Sequence, residues 1–553
     1  MHPGDQYWAS AVSEDGQQTP PLSSQLQRES RRAAHAHRRA ERPTASRVRE
    51  VLAWVAAAAA LFTLFLRIKL SEPPSSDAAN NALQAWDMLH GHVLLHGWII
   101  GDATYYTFEL PLMAVAELFL GLHTIAVHVA VSLTLLIVIA LAAAIAVTDS
   151  RGAARAVRAW VMLAIFLAPV LVTSDMWIIL GFPDHTGTTI FLLIPCLLID
   201  LAPARRFTAP LLCLILAAGQ IGDVTVRYVA VPAIVLVCAY RMLAARSIKT
   251  GDALNLAAVI VSLPLAMAVR ALMRHFGAYL MVSPKTGLAP FHQWKQNIAY
   301  TWHSIRLLFG TLAMPGNAPA GRTAIVGFAC LVVAAVGVLV SLWRWRKLRR
   351  AEQVLLVAIV VNIVAYTIST LPGPRAPHDI VAVLPASAIL AARALVPERI
   401  TGRLTAAVAT SAAVIATLLP LCLTAVHRPP QTPSWESLAK WLNANDLHYG
   451  LGGYWDASSV TLQSGGGVAI RTVMVKGGKI TPFPWETNTL WFDPTRHYAN
   501  FVVIDLVDHD LAPSAERYFG KPARTHMVGR WEVLIFNHNV LRVVKPAVLP
   551  PTS

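Results

Sequence analysis

The chain has 553 residues, of which 55% are hydrophobic and only 14% charged, and its formal net charge is +15. A soluble globular protein carries about 25% charged residues, so this composition excludes a soluble fold and marks a membrane protein. The basic excess lies in short clusters between apolar segments, which reads as a topology signal and not as a nucleic-acid surface.

Residues 1–47 are rich in Arg, Ser, Gln and Pro and poor in large apolar side chains. That composition predicts a disordered tail with a basic segment near the lipid surface, and no cleavable signal precedes the first span. The first apolar run is Val51–Leu70, and a polar loop follows over residues 71–109. Within it, Ser76–His90 predicts a short helix that Ser75 or Ser76 caps and Gly91 ends. Ala79, Ala82, Leu83, Trp86 and Leu89 form its apolar stripe, with Asp77, Asn80, Asn81, Gln84 and Asp87 mainly on other faces. Such a helix is expected to rest at the membrane surface.

Leu110–Val147 is too long for one ordinary span, and Gly121–His123 offers a break. A single net crossing is expected, with Glu109–Leu120 lying partly in the interface. Further apolar runs follow at Ala159–Leu180, Thr188–Leu201, Ala209–Ile221, Tyr228–Leu243, Leu254–Met273, Ala324–Trp343, Val354–Leu371, Ile380–Val396 and Leu404–Val426. Most approach the roughly 20 residues that a spanning helix needs; those starting at Thr188 and Ala209 are short and depend on tilt or local thinning. The expected fold is mainly α, a polytopic transmembrane bundle of about 11–13 spans over residues 48–427.

Arg and Lys cluster at Arg28–Arg49, Arg151–Arg158, Arg205–Arg206, Arg241–Lys249, Arg344–Arg350 and Arg393–Arg403, between alternate apolar runs. The positive-inside rule then places the N-terminus in the cytoplasm and the loop 71–109 outside. After the Pro-rich linker at Arg428–Pro433 the pattern changes. Phe501–Leu506 and Trp531–Phe536 read as strands, and Gly452-Gly453, Gly465-Gly466-Gly467 and Gly477-Gly478 mark turns. Residues 433–553 are therefore expected to form an extracytoplasmic α/β domain. All five cysteines lie in apolar runs and read as small core residues.

The candidate chemistry is concentrated outside the spans. Asp77 follows the first span within a few residues, where a carboxylate can act as a general base on an external hydroxyl or can sit in the first turn of a helix for its dipole. Asp184 and His185, in the short loop Phe182–Thr186, form either a turn or the wall of a polar cavity. Asp223 and Arg227 are four apart and suit an ion pair over one helical turn, although charges at a membrane edge are functional candidates too. Arg375 and His378 suit a phosphate or a solvated loop. His90, His92 and His96 have no spacing that demands a metal.

These residues carry a resemblance. Ser76-Asp77-Ala78-Ala79-Asn80, then Met88-Leu89-His90-Gly91-His92, then Tyr105–Leu112 and Leu118–Gly121 resemble the first outer loop of the GT-C class of membrane glycosyltransferases. The resemblance covers about Val51–Val426 and implies transfer of a sugar from a polyprenyl-phosphate carrier. It places Asp77 on the class's acidic position, Asp184 on a second acid, and Arg375–Pro385 on a late segment where an Arg precedes a span. Two departures stand out: Ala78 replaces a paired acid, and Ala376-Pro377-His378 replaces an aromatic after the late Arg.

The resulting expectation is an inverting hexosyl- or pentosyltransferase, multi-pass in a bacterial inner membrane. Asp77 would be the base. Asp184, His185, His92, Glu109, Asp102 and Asp223 would line the acceptor or sugar cavity, and Arg375, His378, Lys285 and His292 would hold the carrier phosphate. No cofactor is required, a divalent cation being possible. The partners would be a lipid-linked sugar donor, membrane lipid and an extracytoplasmic glycan, lipid or protein acceptor, with no nucleic acid. The alternatives are a lipid-linked glycan transporter or flippase, which would use the cavity without a base, and a catalytically inactive scaffold.

Overall fold

The computed structural model describes residues 48–101, 103–172, 185–201, 207–246, 248, 250–282, 286–312, 321–374, 376–400, 404–430, 434–507 and 511–544. The tail 1–47 and the candidate residues Asp102, Asp184, Lys285 and Arg375 lie outside the described residues. The chain divides into two compact units, residues 1–61 and 62–553, and every site discussed lies within the second.

Each apolar run carries a helix. In chain order the helices are α1 (Val48–Lys69), α2 (Ser76–Leu89), α3 (Glu109–Leu120), α4 (Thr124–Val147), α5 (Ala153–Val172), α6 (Thr186–Leu201) and α7 (Thr208–Gly222). They continue with α8 (Thr225–Ala244), α9 (Thr250–His275), α10 (Trp294–Leu308), α11 (Gly321–Trp343), α12 (Arg350–Ile368), α13 (Val383–Leu395) and α14 (Leu404–Val426). Among the described residues nine helical segments are long and apolar enough to cross a membrane, and α6 and α7 are shorter apolar helices. The long run after the first loop breaks at Gly121, whose φ of 72° is open to glycine at little cost. At 12 residues, α3 is about 18 Å long and too short to span; α4, with 24 residues, carries the crossing.

The C-terminal region contains helices α15 (Ser434–Ala444), α16 (Tyr454–Gln463) and α17 (Ala512–Phe519). Its strands are β3 (Tyr449–Gly452), β4 (Ala469–Lys476), β5 (Lys479–Pro482), β7 (Phe501–Asp505), β8 (Arg524–Val528) and β9 (Trp531–Ile535). The sheet order is β5-β4-β3-β7-β9-β8, with β4, β3 and β7 parallel and the others antiparallel to their neighbours. Apolar clusters fill both faces, one around Leu451, Ile504 and Phe536 and the other around Leu438, Val460 and Trp531. The α/β pattern expected after the linker is therefore present, and the two strands read from sequence pair with each other as β7 and β9.

A second, smaller sheet positions the first loop. Strand β1 (Trp98–Ile100) pairs in parallel with β2 (Leu280–Met281) and antiparallel with β6 (Thr487–Asn488). Three distant segments are thereby stapled together, and Trp98, Ile99 and Ile100 are fully buried.

Candidate functional site

Asp77 occupies the first turn of α2, whose N-cap is Ser75; the Ser75 hydroxyl accepts from the Ala78 amide at 3.2 Å. This fulfils the predicted cap and favours a carboxylate at that end of the helix. The α2 start faces the start of α16. Strand β3 ends at Gly452, Gly453 turns the chain, and Tyr454 opens the helix. Its phenol donates to Asp77 Oδ1. Burial and the nearby Asp77 charge push the Tyr454 phenol well above the usual range, so it remains the donor.

More polar contacts fasten the same helix. Ser76 Oγ donates to the Trp455 carbonyl at 2.6 Å, and Ser458 Oγ donates to Asn80 Oδ1. Gln84 donates to Glu486 Oε2, while the Gly101 amide donates to Glu486 Oε1 at 3.1 Å. These contacts give the polar side of α2 a protein partner that the expectation of a helix at the membrane surface did not include. Asn80, Asn81 and Gln84 are buried, and the C-terminal region covers them. Amphipathicity located two faces but not the partner of the polar one. Trp455, beside Tyr454, stays 55% exposed at the edge of this junction.

A second constellation forms where α6, α7, α8 and the segment before α13 meet. His185 Nδ1 lies 2.6 Å from Asp223 Oδ2, Thr188 Oγ1 donates to the same oxygen, and the Thr225 amide donates to Asp223 Oδ1 at 2.8 Å. Burial raises the Asp223 carboxyl, but the His185 charge and these donors outweigh it and hold the group below the usual carboxylate range. His185 Nε2 is 3.9 Å from Asp379 Oδ1, and the His378 ring stacks on His185 at 5.8 Å. The Asp379 segment is itself fixed by α12, where Asn362 donates to the Asp379 carbonyl at 3.1 Å and the Tyr366 hydroxyl to the Ala376 carbonyl at 2.9 Å.

Glu109 opens α3 within this group. Burial pushes its carboxyl up to about 8, with a smaller upward push from Asp223. A methyl group at Gly187 would sit 1.7 Å from Glu109 Oε1, so only glycine admits this carboxyl against the start of α6. The stretch 103–107 connects the two constellations: Thr104 Oγ1 donates to the Ile221 carbonyl at 2.7 Å and the Tyr105 amide to Gly222 at 2.8 Å. His185, His378 and Asp379 have donor atoms within 4.8 Å of one another, and Asp223 orients the far nitrogen of His185. That donor set fits a divalent cation.

The structure thus brings together Glu109, His185, Asp223 and His378 from the sequence-derived set, and places Asp77 under the C-terminal region. Two residues are not brought in. His92 is exposed in the turn closing α2, and His292 is exposed in the 3-10 turn Phe291–Gln293. The expected Asp223–Arg227 pair is replaced by Asp223–His185, because Asp223 is extended (φ −152°, ψ 124°) and lies outside the helical turn that such a pair needs. Sequence reasoning missed Tyr454, Glu486 and Asp379. A signal existed for the first: Gly452-Gly453 before Tyr454 places it at a strand-to-helix junction, where parallel sheets present side chains.

The architecture is shared with a solved structure. ArnT from Cupriavidus metallidurans, in the apo state, superposes with a TM-score of 0.56 at 14% identity over 91% of this chain and 100% of that one. The chain shares the fold of that structure. The same ArnT bound to undecaprenyl phosphate gives a TM-score of 0.51 at 14% identity, covering 90% and 99% of the two chains. The apo oligosaccharyltransferase of Archaeoglobus fulgidus overlaps more loosely, with a TM-score of 0.44 at 11% identity over 84% of this chain and 70% of that one. No protein-family model matches the sequence, and no curated protein is similar to it.

Proposed function

We propose that the protein is a membrane glycosyltransferase that moves a sugar from a polyprenyl-phosphate carrier to an extracytoplasmic acceptor. The fold shared with an ArnT structure that holds undecaprenyl phosphate supports a carrier of that class. The observation that carries the reading is the partly exposed Asp77 carboxylate, fixed at the first-loop face by a helix cap and a phenol. Asp77 takes the proton of an acceptor hydroxyl as that oxygen attacks the anomeric carbon. The bond from this carbon to the carrier phosphate breaks, and polyprenyl phosphate leaves.

Arg375, Lys285, His378 and His292 are proposed to hold the carrier phosphate. Asp184 and Asp102 are proposed to complete the sugar cavity with Glu109, His185 and Asp223. No step requires a metal. A divalent cation on His185, His378 and Asp379 would add positive charge for the phosphate.

Asp77→Asn tests the base. Asparagine retains the shape and can still accept from a phenol, so stability should change by about 1 kcal/mol or less. Transfer from a polyprenyl-phosphate sugar should fall by roughly a hundredfold or more. A folded variant with normal turnover would remove Asp77 from the chemistry and favour a transporter.

A further inference from the structure

The face opposite the first loop carries a site with no part in this reading. Helix α4 starts at Thr124 beside the first-loop face, and its 24 residues place its far end about 36 Å away. The ends of α5, α11, α12 and α13 and the turns after them line an open cavity of about 1030 Å³ there. Arg158, Arg344, Arg346, Lys347, Arg349 and Arg393 line it, against only Glu352 and Glu398.

Two of the carboxylates nearby are already engaged. Glu352 accepts from Arg393 Nε at 2.8 Å and from the Arg349 amide at 2.8 Å, and Asp149 pairs with Arg349. Arg158, only 3% exposed, meets backbone carbonyls alone: Val396 O accepts from its Nε at 3.0 Å and from Nη2 at 2.8 Å. Among the described residues no carboxylate contacts it. A buried cation beside Arg393 without an anion of its own is costly, and the fixed guanidinium planes form a floor suited to phosphate oxygens. At the rim, Arg346 and Lys347 are exposed and make no ion pair among the described residues.

The surroundings distinguish a lipid from a free anion. Trp343 is 82% exposed at the end of α11, and Leu339 and Leu342 next to it on the same helix are 63% and 57% exposed. An aromatic at headgroup depth with apolar side chains leading toward the bilayer centre describes a lipid track. Basic pockets between helix ends bind anionic headgroups for this reason. We propose that this cavity binds the phosphate headgroup of an anionic phospholipid, with the acyl chains along Leu339 and Leu342. The positive-inside pattern assigns it to the cytoplasmic leaflet.

The test uses the full chain in nanodiscs of phosphatidylcholine alone or of an equimolar mixture with phosphatidylglycerol. Lipid retained after detergent transfer is read by native mass spectrometry, and the melting temperature is read on the same samples. Wild type should retain phosphatidylglycerol selectively and melt higher in the mixture. Arg346→Ala with Lys347→Ala alters two exposed side chains, so the fold should survive. Apparent affinity should drop about fivefold per charge, or about thirtyfold for the pair. Lys476→Ala with Lys479→Ala, exposed on the C-terminal sheet, should leave it unchanged. Equal retention of the two lipids, or equal loss in both double variants, would overturn the site. Stabilisation by inorganic pyrophosphate without lipid retention would replace the lipid with a soluble anion.

Discussion

Asp77 and Asp223 are each held by a residue distant in sequence, and they are held in opposite ways. Asp77 is half-buried and receives a phenol from the C-terminal region. Asp223 is 3% exposed and receives an imidazole, a hydroxyl and an amide from the membrane helices. A carboxylate surrounded by fixed donors cannot take up a substrate proton without first breaking those bonds. A carboxylate at an accessible junction can. The contrast supports the proposal that Asp77 carries the chemistry while Asp223 organises its cluster, and on that proposal loss of Asp77 should have the largest effect on turnover.

Deleting the scaffold acid is the strongest way to break this contrast. Asp223→Ala strands His185, Thr188 and Thr225, and should cost about 3 kcal/mol of stability. A thermal melt that barely moves would show that Asp223 does not organise the cluster. The next test uses Glu109, whose carboxyl rises from 4.5 to about 8 through burial. A raised acid contributes stability that is complete below pH 4.5 and lost as the pH climbs through about 8. Asp223, lowered from 3.8, acts in the other direction, with stability lost only as the pH falls below that value. Glu109→Gln should therefore flatten the stability profile between pH 4.5 and 8 and leave the acid end unchanged. An unaltered slope in that window would mean that Glu109 is ionised and paired.

The smallest effect is expected at Tyr454. Tyr454→Phe keeps the ring against Phe483, 4.8 Å away, and removes only the hydroxyl. Stability should fall by about 1 kcal/mol. Donation to a carboxylate favours its ionised form, so the acid limb of the transfer profile should move up by about one pH unit. A profile identical to wild type would separate the phenol from the working acid.

Much of the bundle was legible because lipid leaves the chain few options: each apolar run had to be a helix that satisfies its own backbone. The break at Gly121 and the Ser75 cap were equally local. The place of Asp77 in the first turn of α2, just beyond a span, was legible too. What was not legible required contacts over long separations. Asn80 and Gln84 could be placed off the apolar stripe but not paired, because nothing in residues 71–109 reveals that Ser458 and Glu486 meet them. The Asp223–Arg227 spacing was right for a helix, but the chain leaves helical geometry at Asp223. His185 and Asp379 meet only because two loops converge, which periodicity does not encode.

The bond between Tyr454 and Asp77 spans 377 positions of sequence, and it also sets an order of events during synthesis. At roughly 5–20 residues per second, the phenol leaves the ribosome on the order of half a minute after the acid. The first loop is delivered early and then waits, its strand β1 still lacking its β6 partner. A chain interrupted before the last hundred or so residues would insert its helices yet leave α2 uncovered, with the acid present and its setting incomplete. The setting of Asp77 is therefore completed only once the region that holds Tyr454 and Glu486 has been made.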